Sequence, residues 1–252
     1  MRRAYRDRAE HLGDPDFVDV PAEMLTSRVY TNKLVKNINQ KKATPSVFLN
    51  PVADPTGKGT DTTHFSIIDA EGNRVSATLS INFPFGSGFV AEGTGVLLND
   101  EMDDFSAKPG VPNVYGLVGA EANAIEPGKR MLSSMSPSFL ETSDRIAILG
   151  TPGGSRIITM VLLAMLDFYQ GGDAQSMVNV GRFHHQYLPD KIIFEPGAFD
   201  ADVVEALTTM GHKVEALSGS YGNMHVIIAN KKTRNVEAAS DARGMGQATV
   251  LH

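Results

Sequence analysis

The chain has 252 residues, enough to bury a sizeable core as one large domain or two small ones. Acidic residues outnumber basic ones, 29 to 23, for a formal charge of −6, and no basic cluster is interleaved with aromatics, which argues against nucleic acid as a partner. Cysteine is absent, which removes thiol catalysis, disulfides and Cys-ligated zinc together and leaves the redox compartment open.

No apolar run reaches the length of a membrane span, and the opening Met1-Arg2-Arg3-Ala4-Tyr5-Arg6 lacks the apolar core of a signal segment. Residues 1–42 read as helical. A short charged segment ends at Leu12-Gly13-Asp14-Pro15. A longer one starts at Pro21, a residue suited to the first helical position, and sets Leu25, Val29 and Ile38 roughly on one face. Over 43–61 the character shifts: Pro45, Pro51, Pro55, Gly57 and Gly59 punctuate a polar run, read as an exposed linker that can present a bond for cutting.

After Thr62 the period changes to two. Residues 64–69 and 74–80 read as strands joined by a turn at Glu71-Gly72-Asn73. A Gly- and Pro-rich, loop-like middle runs over 83–135. Residues 145–149 read as a buried strand that passes through Gly150-Thr151-Pro152-Gly153-Gly154 into an apolar helix over 155–169. A helix near 173–181, a strand near 191–195, a helix near 200–210 and strands near 213–217 and 224–229 complete the chain. This mixture, without a dinucleotide-binding fingerprint or an internal repeat, predicts a layered α+β or α/β sandwich.

Several segments carry chemistry. In Asp61-Thr62-Thr63-His64-Phe65-Ser66 a threonine pair opens the strand. Such pairs are ordinary strand starts. A threonine nevertheless becomes a self-sufficient nucleophile if the chain is cut just before it, because its freed α-amine, of pKa about 7.7–8.0, then sits beside its own hydroxyl. Gly150-Thr151-Pro152-Gly153-Gly154-Ser155-Arg156 is either a plain tight turn or an oxyanion hole made of backbone N–H groups at a helix start. No Gly-Lys-Ser/Thr follows, so it is not a P-loop.

Asn99-Asp100-Glu101-Met102-Asp103-Asp104-Phe105-Ser106 is an acidic loop suited to calcium or to a substrate ammonium, and equally to bare solvation; its spacing is not that of an EF-hand. Ser133-Ser134, before Met135-Ser136-Pro137, offers hydroxyls to a carboxylate. His184-His185 does not read as a metal site, since neighbours on a strand point to opposite faces, and no His-Glu-x-x-His spacing appears. Together, a serine pair for a carboxylate, acids for an ammonium, two glycines for an oxyanion and a threonine nucleophile describe a site for an amino acid whose side-chain acyl group is transferred.

The order and wording of these segments resemble the γ-glutamyltranspeptidases, which are N-terminal-nucleophile hydrolases. The stretches that match are Thr62-Thr63-His64, Asn99-Asp100-Glu101-Met102-Asp103-Asp104-Phe105, Lys108-Pro109-Gly110-Val111-Pro112-Asn113-Val114-Tyr115-Gly116, Ser133-Ser134-Met135-Ser136-Pro137, Pro152-Gly153-Gly154-Ser155-Arg156 and Arg182-Phe183-His184-His185-Gln186. The resemblance implies an αββα sandwich of which this chain supplies the small-subunit part over 62–252. Residues 1–61 then resemble the tail of the large subunit and a linker ending at an autocleavage site between Asp61 and Thr62.

It further implies Thr62 as nucleophile and Ser80 where relatives carry an orienting threonine; serine keeps the hydroxyl but loses the stiff β-branched rotamer. Asn82, Glu101 and Asp104 would hold the substrate α-ammonium, Ser133 and Ser134 its α-carboxylate, and Gly153 and Gly154 the oxyanion, with Tyr115 on a lid loop. The implied activity is γ-glutamyl transfer and hydrolysis on glutathione and related compounds through a covalent γ-glutamyl-threonine. Water, or an amino acid or peptide, would be acceptor, with no metal or organic cofactor, in the periplasm or outside the cell. One departure is that the family also grips the α-carboxylate with a large-subunit arginine far upstream of this chain. The alternatives are an acylase on another amide, of the cephalosporin acylase kind, and a non-catalytic subunit that needs a large-subunit partner.

Overall fold

A computed structural model describes residues 1–46 and 62–251. Most of the linker read over 43–61, and Asp61 with it, lies outside the described residues.

The N-terminal part forms α1 (Arg2–His11), α2 (Ala22–Thr26) and α3 (Arg28–Lys36). The single long helix expected from Pro21 is broken at Ser27. Its backbone is extended, and its side chain accepts a hydrogen bond from the Tyr30 N–H and so caps α3. The expected apolar face is not buried either: Val29 and Ile38 are exposed. The segment that enters the body is α1 instead. Tyr5 is buried and its hydroxyl donates to Ser155 O, while Arg2 pairs with Asp190 and Arg8 donates to Ser134 Oγ. The following turn is fixed by Asp14, whose buried carboxylate accepts from the backbone and guanidinium of Arg130; those hydrogen bonds hold it below the usual carboxylate range.

The strand period seen after Thr62 gives the antiparallel hairpin β1 (Thr62–Ile68) and β2 (Arg74–Ser80), with Thr62 opposite Ser80. Its turn is closed by Asp69 Oδ1, which accepts from the backbone of Glu71 and Asn73, and by Gly72 at φ +88°. Two short strands, β3 (Val90–Ala91) and β4 (Val96–Leu97), pair within the loop-rich middle. The main sheet is antiparallel, in the order β11-β10-β6-β5: β5 (Ser138–Glu141), β6 (Arg145–Gly150), β10 (His225–Asn230) and β11 (Val236–Ser240). β5 and β11 do not stand out in the sequence. Ser, Glu and Ala are poor strand formers, and β11 exists because β10 pairs with it.

β6 is buried on both faces, as a continuous apolar run requires. On one face, Ala147 and Leu149 of β6 and Val226 and Ile228 of β10 pack with Ile157, Met160, Val161, Ala164 and Phe168 of α4 (Ile157–Tyr169) and with Met177 and Val178 of α5 (Ala174–Asn179). Each of these Leu, Ile, Val, Met and Phe side chains contributes about 1.5–3 kcal/mol of burial. Arg145 closes the far end of α4, donating to Phe168 O and Gly172 O with its guanidinium over the Phe168 ring. On the other face lies the β1–β2 hairpin, tied down where Ser76 Oγ donates to Leu149 O and the Ser138 N–H donates to Ser76 Oγ. The layers therefore run helix, sheet, sheet. Among the described residues no helix covers the outer face of the hairpin, where Phe65, Ile67, Val75 and Leu79 are 42–52% exposed.

A second sheet, β7 (Phe183–His184), β8 (Ile192–Phe194) and β9 (Val214–Ala216), has β8 and β9 parallel through the crossover helix α6 (Ala201–Thr209). It is joined to the main sheet by a buried ionic cluster. Arg182 meets Asp241 at 2.5 Å, Arg243 meets Glu195 at 2.6 Å, and both arginines donate to Val178 O at the C-terminal end of α5.

Candidate active site

Thr62 is the first residue of β1 and is directly paired with Ser80, the last of β2. Directly opposite residues share a face, so their hydroxyls meet at 3.1 Å. Ser80 Oγ also accepts from the Asn82 N–H at 2.9 Å. The Ser80 proton is thereby free to point at Thr62 Oγ1, leaving the Thr62 proton available to a base. Asn82 follows in a left-handed conformation, φ 70°, which asparagine tolerates; it is buried, and its amide donates to Asp100 O.

The acidic loop folds as a short 3-10 turn over Glu101–Asp104. Glu101 Oε1 is buried without a hydrogen-bond partner. Burial first, and the nearby Glu101 charge second, push the Asp104 carboxyl up to about 7, against some relief from Arg8. This end of the site thus holds acceptors short of a donor. Opposite, Ser134 Oγ is backed by the Arg8 guanidinium at 3.0 Å and Ser133 Oγ accepts from the Met135 N–H.

The glycine pair sits where β6 turns into α4, at φ 144° for Gly153 and 56° for Gly154, angles that side-chain-bearing residues rarely adopt. A Cβ on Gly154 would lie 2.6 Å from the Tyr115 ring, so that ring rests on the glycine backbone. Tyr115 stacks on Phe83, and its hydroxyl donates to Asn82 O at 3.0 Å.

These parts enclose one cleft of about 320 Å³, its open mouth included. Thr62, Ser80 and Asn82 form one side, Glu101 and Asp104 the acidic end, Ser133 and Ser134 the hydroxyl end, and Tyr115 and Gly154 the wall between. Of the residues to which the resemblance gives a role in catalysis or substrate binding, Gly153 alone does not line it: its Cα side is turned toward Met160. Among the described residues no histidine or lysine lines the cleft. His64, two residues on along the same face of β1, lies deeper, buried between the sheets with Thr78 Oγ1 and Ser66 Oγ as partners, and burial lowers its pKa to about 4.

His184 and His185 take separate partners, Thr159 and Gln186 for the first and Asp190 and Arg2 for the second; among the described residues no His, Asp or Glu group is placed to hold a metal ion. Sequence reading missed Arg8 and Asp14 as site supports. The one signal for Arg8 was its i,i+3 spacing from the buried Tyr5 on a charged helix, which puts both on one face. The arrangement can bind a zwitterionic head group between acids and hydroxyls and present a carbonyl to a hydroxyl nucleophile beside backbone N–H groups.

A model of the gamma-glutamyltranspeptidase family matches residues 1–251. The glutathione hydrolase proenzyme of Pseudomonas aeruginosa is 44% identical over 99% of this chain and 44% of its own length. That of Escherichia coli is 44% identical over 98% of this chain and 42% of its own length. The chain therefore spans less than half the length of these curated relatives. Among solved structures, a gamma-glutamyltranspeptidase chain from Pseudomonas nitroreducens, complexed with L-DON, superposes with a TM-score of 0.69 at 46% identity, covering 75% of this chain and all of that one.

Proposed function

This chain belongs to the gamma-glutamyltranspeptidase family, and on that premise we propose that it carries the acyl-transfer site of an enzyme that hydrolyses and transfers γ-glutamyl groups of glutathione and related compounds. The observation that carries this reading is the convergence of the Thr62–Ser80 hydroxyl pair, the Glu101–Asp104 acids, the Ser133–Ser134 hydroxyls and Gly154 on one cleft.

Cleavage of the Asp61–Thr62 bond frees the Thr62 α-amine. Among the described residues the lining holds no side-chain imidazole or ammonium, so this amine is the base suited to the task. Thr62 Oγ attacks the γ-carbonyl as its proton passes to the α-amine, and the oxyanion is received by the backbone N–H groups of the Gly153–Gly154 turn. The α-amine then protonates the leaving amine as the C–N bond breaks, giving a γ-glutamyl ester on Thr62. Water releases glutamate, and an amino acid or peptide amine gives a new γ-glutamyl product. The substrate ammonium supplies the donor that Glu101 Oε1 lacks and restores the charge on Asp104. The carboxylate meets Ser133 and Ser134, with Arg8 behind the second.

Hydrolysis of a γ-glutamyl anilide tests this reading, with a glutaryl anilide, which lacks the α-amine, as control. Thr62→Ala is expected to lower turnover by about 10³-fold or more, and the γ-glutamyl compound to be strongly preferred. Retained turnover in T62A, or equal use of the glutaryl compound, rejects it. The bare outer face of the β1–β2 hairpin favours a companion reading, in which activity needs further polypeptide packed on Phe65, Ile67, Val75 and Leu79. Full turnover by the isolated chain would dismiss that requirement.

A further inference from the structure

The Arg182-Phe183-His184-His185-Gln186 stretch contributes nothing to the cleft lining, yet its last residue reaches two of the cleft's working parts. Gln186 is nine-tenths buried just after β7. Its Nε2 donates to Tyr115 O at 2.8 Å, and its Oε1 accepts from Ser155 Oγ at 2.7 Å. Ser155 directly follows Gly154, and Tyr115 is the residue whose ring lies on Gly154.

The direction of each Gln186 bond is determined. A carbonyl only accepts, so Tyr115 O fixes the amide with nitrogen toward it and oxygen away. The oxygen then needs donors, and it has two: the Ser155 hydroxyl and His184 Nε2, 2.8 Å distant. His184 therefore carries its proton on Nε2, and its Nδ1 lies 2.8 Å from the Thr159 hydroxyl of α4, whose one proton it shares with Arg156 O at 2.9 Å. Burial keeps the imidazole neutral, with a pKa of about 4, as this pattern demands. Glutamine is the side chain that presents a donor and an acceptor at the right length. An apolar residue of the same size would leave Tyr115 O and the Ser155 hydroxyl unsatisfied.

We propose that Gln186 is a positioning residue for the acyl-transfer reaction, clamping the strap that carries Tyr115 to the turn that carries the paired glycines. The inference rests on the reading of the cleft given above. Losing the clamp releases two things at once. The strap that closes over the substrate loosens, which weakens binding, and the turn that presents N–H groups to the oxyanion loses its side support, which slows the chemical step. Ser155→Ala cuts only the second arm.

The test compares wild type, Gln186→Met, Ser155→Ala and the double variant by steady-state kinetics on a γ-glutamyl anilide and by hydrogen exchange of residues 113–118. Q186M is expected to raise KM and lower kcat, each by about tenfold, as befits loss of buried hydrogen bonds. S155A should lower kcat to a similar degree with KM nearly unchanged, and should add nothing in the Q186M background. Exchange over 113–118 should quicken in Q186M and not in S155A. Gln186→Asn, which keeps the amide but shortens its reach, stands in with the same expectations if Q186M does not accumulate folded. Unchanged exchange over 113–118 together with an unchanged KM overturns the clamp, as does full additivity of the two substitutions. If the wild type shows no γ-glutamyl turnover, the proposed function fails, while the exchange measurement still decides whether Gln186 holds the strap.

Discussion

Replacing Asp104 with asparagine should stabilise the unliganded protein above neutral pH and leave it nearly unchanged in acid. Most carboxylates in folded proteins titrate below their unfolded value; burial, with Glu101 alongside, pushes Asp104 the other way, to about 7 from a usual 3.8. Between these two values the folded state holds a proton that the unfolded chain has lost. Unfolding free energy therefore falls as pH rises from about 4 to about 7, with the contribution of Asp104 fully present below the window and lost above it. The rise from 3.8 to about 7, at ~1.36 kcal/mol per tenfold change in proton affinity, sets an upper bound near 4 kcal/mol, and about 2 kcal/mol remains with solvent screening at the open cleft mouth.

Asparagine is neutral throughout and nearly isosteric. Urea unfolding of wild type and D104N at pH 3.5 and pH 8, followed by far-UV circular dichroism, reads the difference directly. D104N should match wild type within a few tenths of a kcal/mol at pH 3.5 and exceed it by about 2 kcal/mol at pH 8. Glutamate should then stabilise the wild type and not D104N at pH 8, because its ammonium is what the ionised Asp104 lacks. A stability difference that is the same at both pH values, or D104N weaker at pH 8, refutes the electrostatic reasoning.

Gly154→Ala places a Cβ 2.6 Å from the Tyr115 ring at a φ of 56°; kcat on a γ-glutamyl anilide should fall about 10²-fold, the scale of one lost oxyanion donor, and a kcat within threefold of wild type would contradict it. Ser80→Ala removes the hydroxyl 3.1 Å from Thr62 Oγ1 and should lower kcat about tenfold with KM little changed. Ser80→Thr, whose β-branch stiffens the same hydroxyl, should equal or exceed wild type. Asp241→Ala leaves Arg182 buried without its partner and should cost about 3–5 kcal/mol in thermal unfolding; a loss below about 1 kcal/mol would show the cluster to be dispensable.

The hairpin that begins at Thr62 was legible because period-two alternation meets an Asp-Gly-Asn-rich turn, and β6 running into α4 was legible because an apolar run meets two glycines. β8, α6, β9 and β10 fall within a residue or two of where the pattern puts them. What stayed hidden was tertiary in origin. β5 and β11 are strands because β6 and β10 offer edges, not because Ser-Phe-Leu-Glu or Val-Glu-Ala-Ala-Ser favours extension. Nothing in the periodicity of 21–42 marks Ser27 as a cap rather than one more helical residue.

In the site, the residue types were readable one by one, but Glu101, Ser134 and Gly154 come from separate loops, and only folding brings them to one cleft. Arg8 looked like one charge among many on a short helix. Gln186 looked like the tail of a histidine motif. Both act through hydrogen bonds spanning 31 residues or more, which no local pattern encodes.

Mapping the covalent intermediate tests the nucleophile most directly. Protein mixed with a γ-glutamyl anilide, quenched in acid within one turnover and digested, should yield a peptide that begins at Thr62 and carries one γ-glutamyl ester on that residue. A γ-glutamyl group on any other side chain, or turnover by protein whose Asp61–Thr62 bond is intact, would contradict the assignment of Thr62.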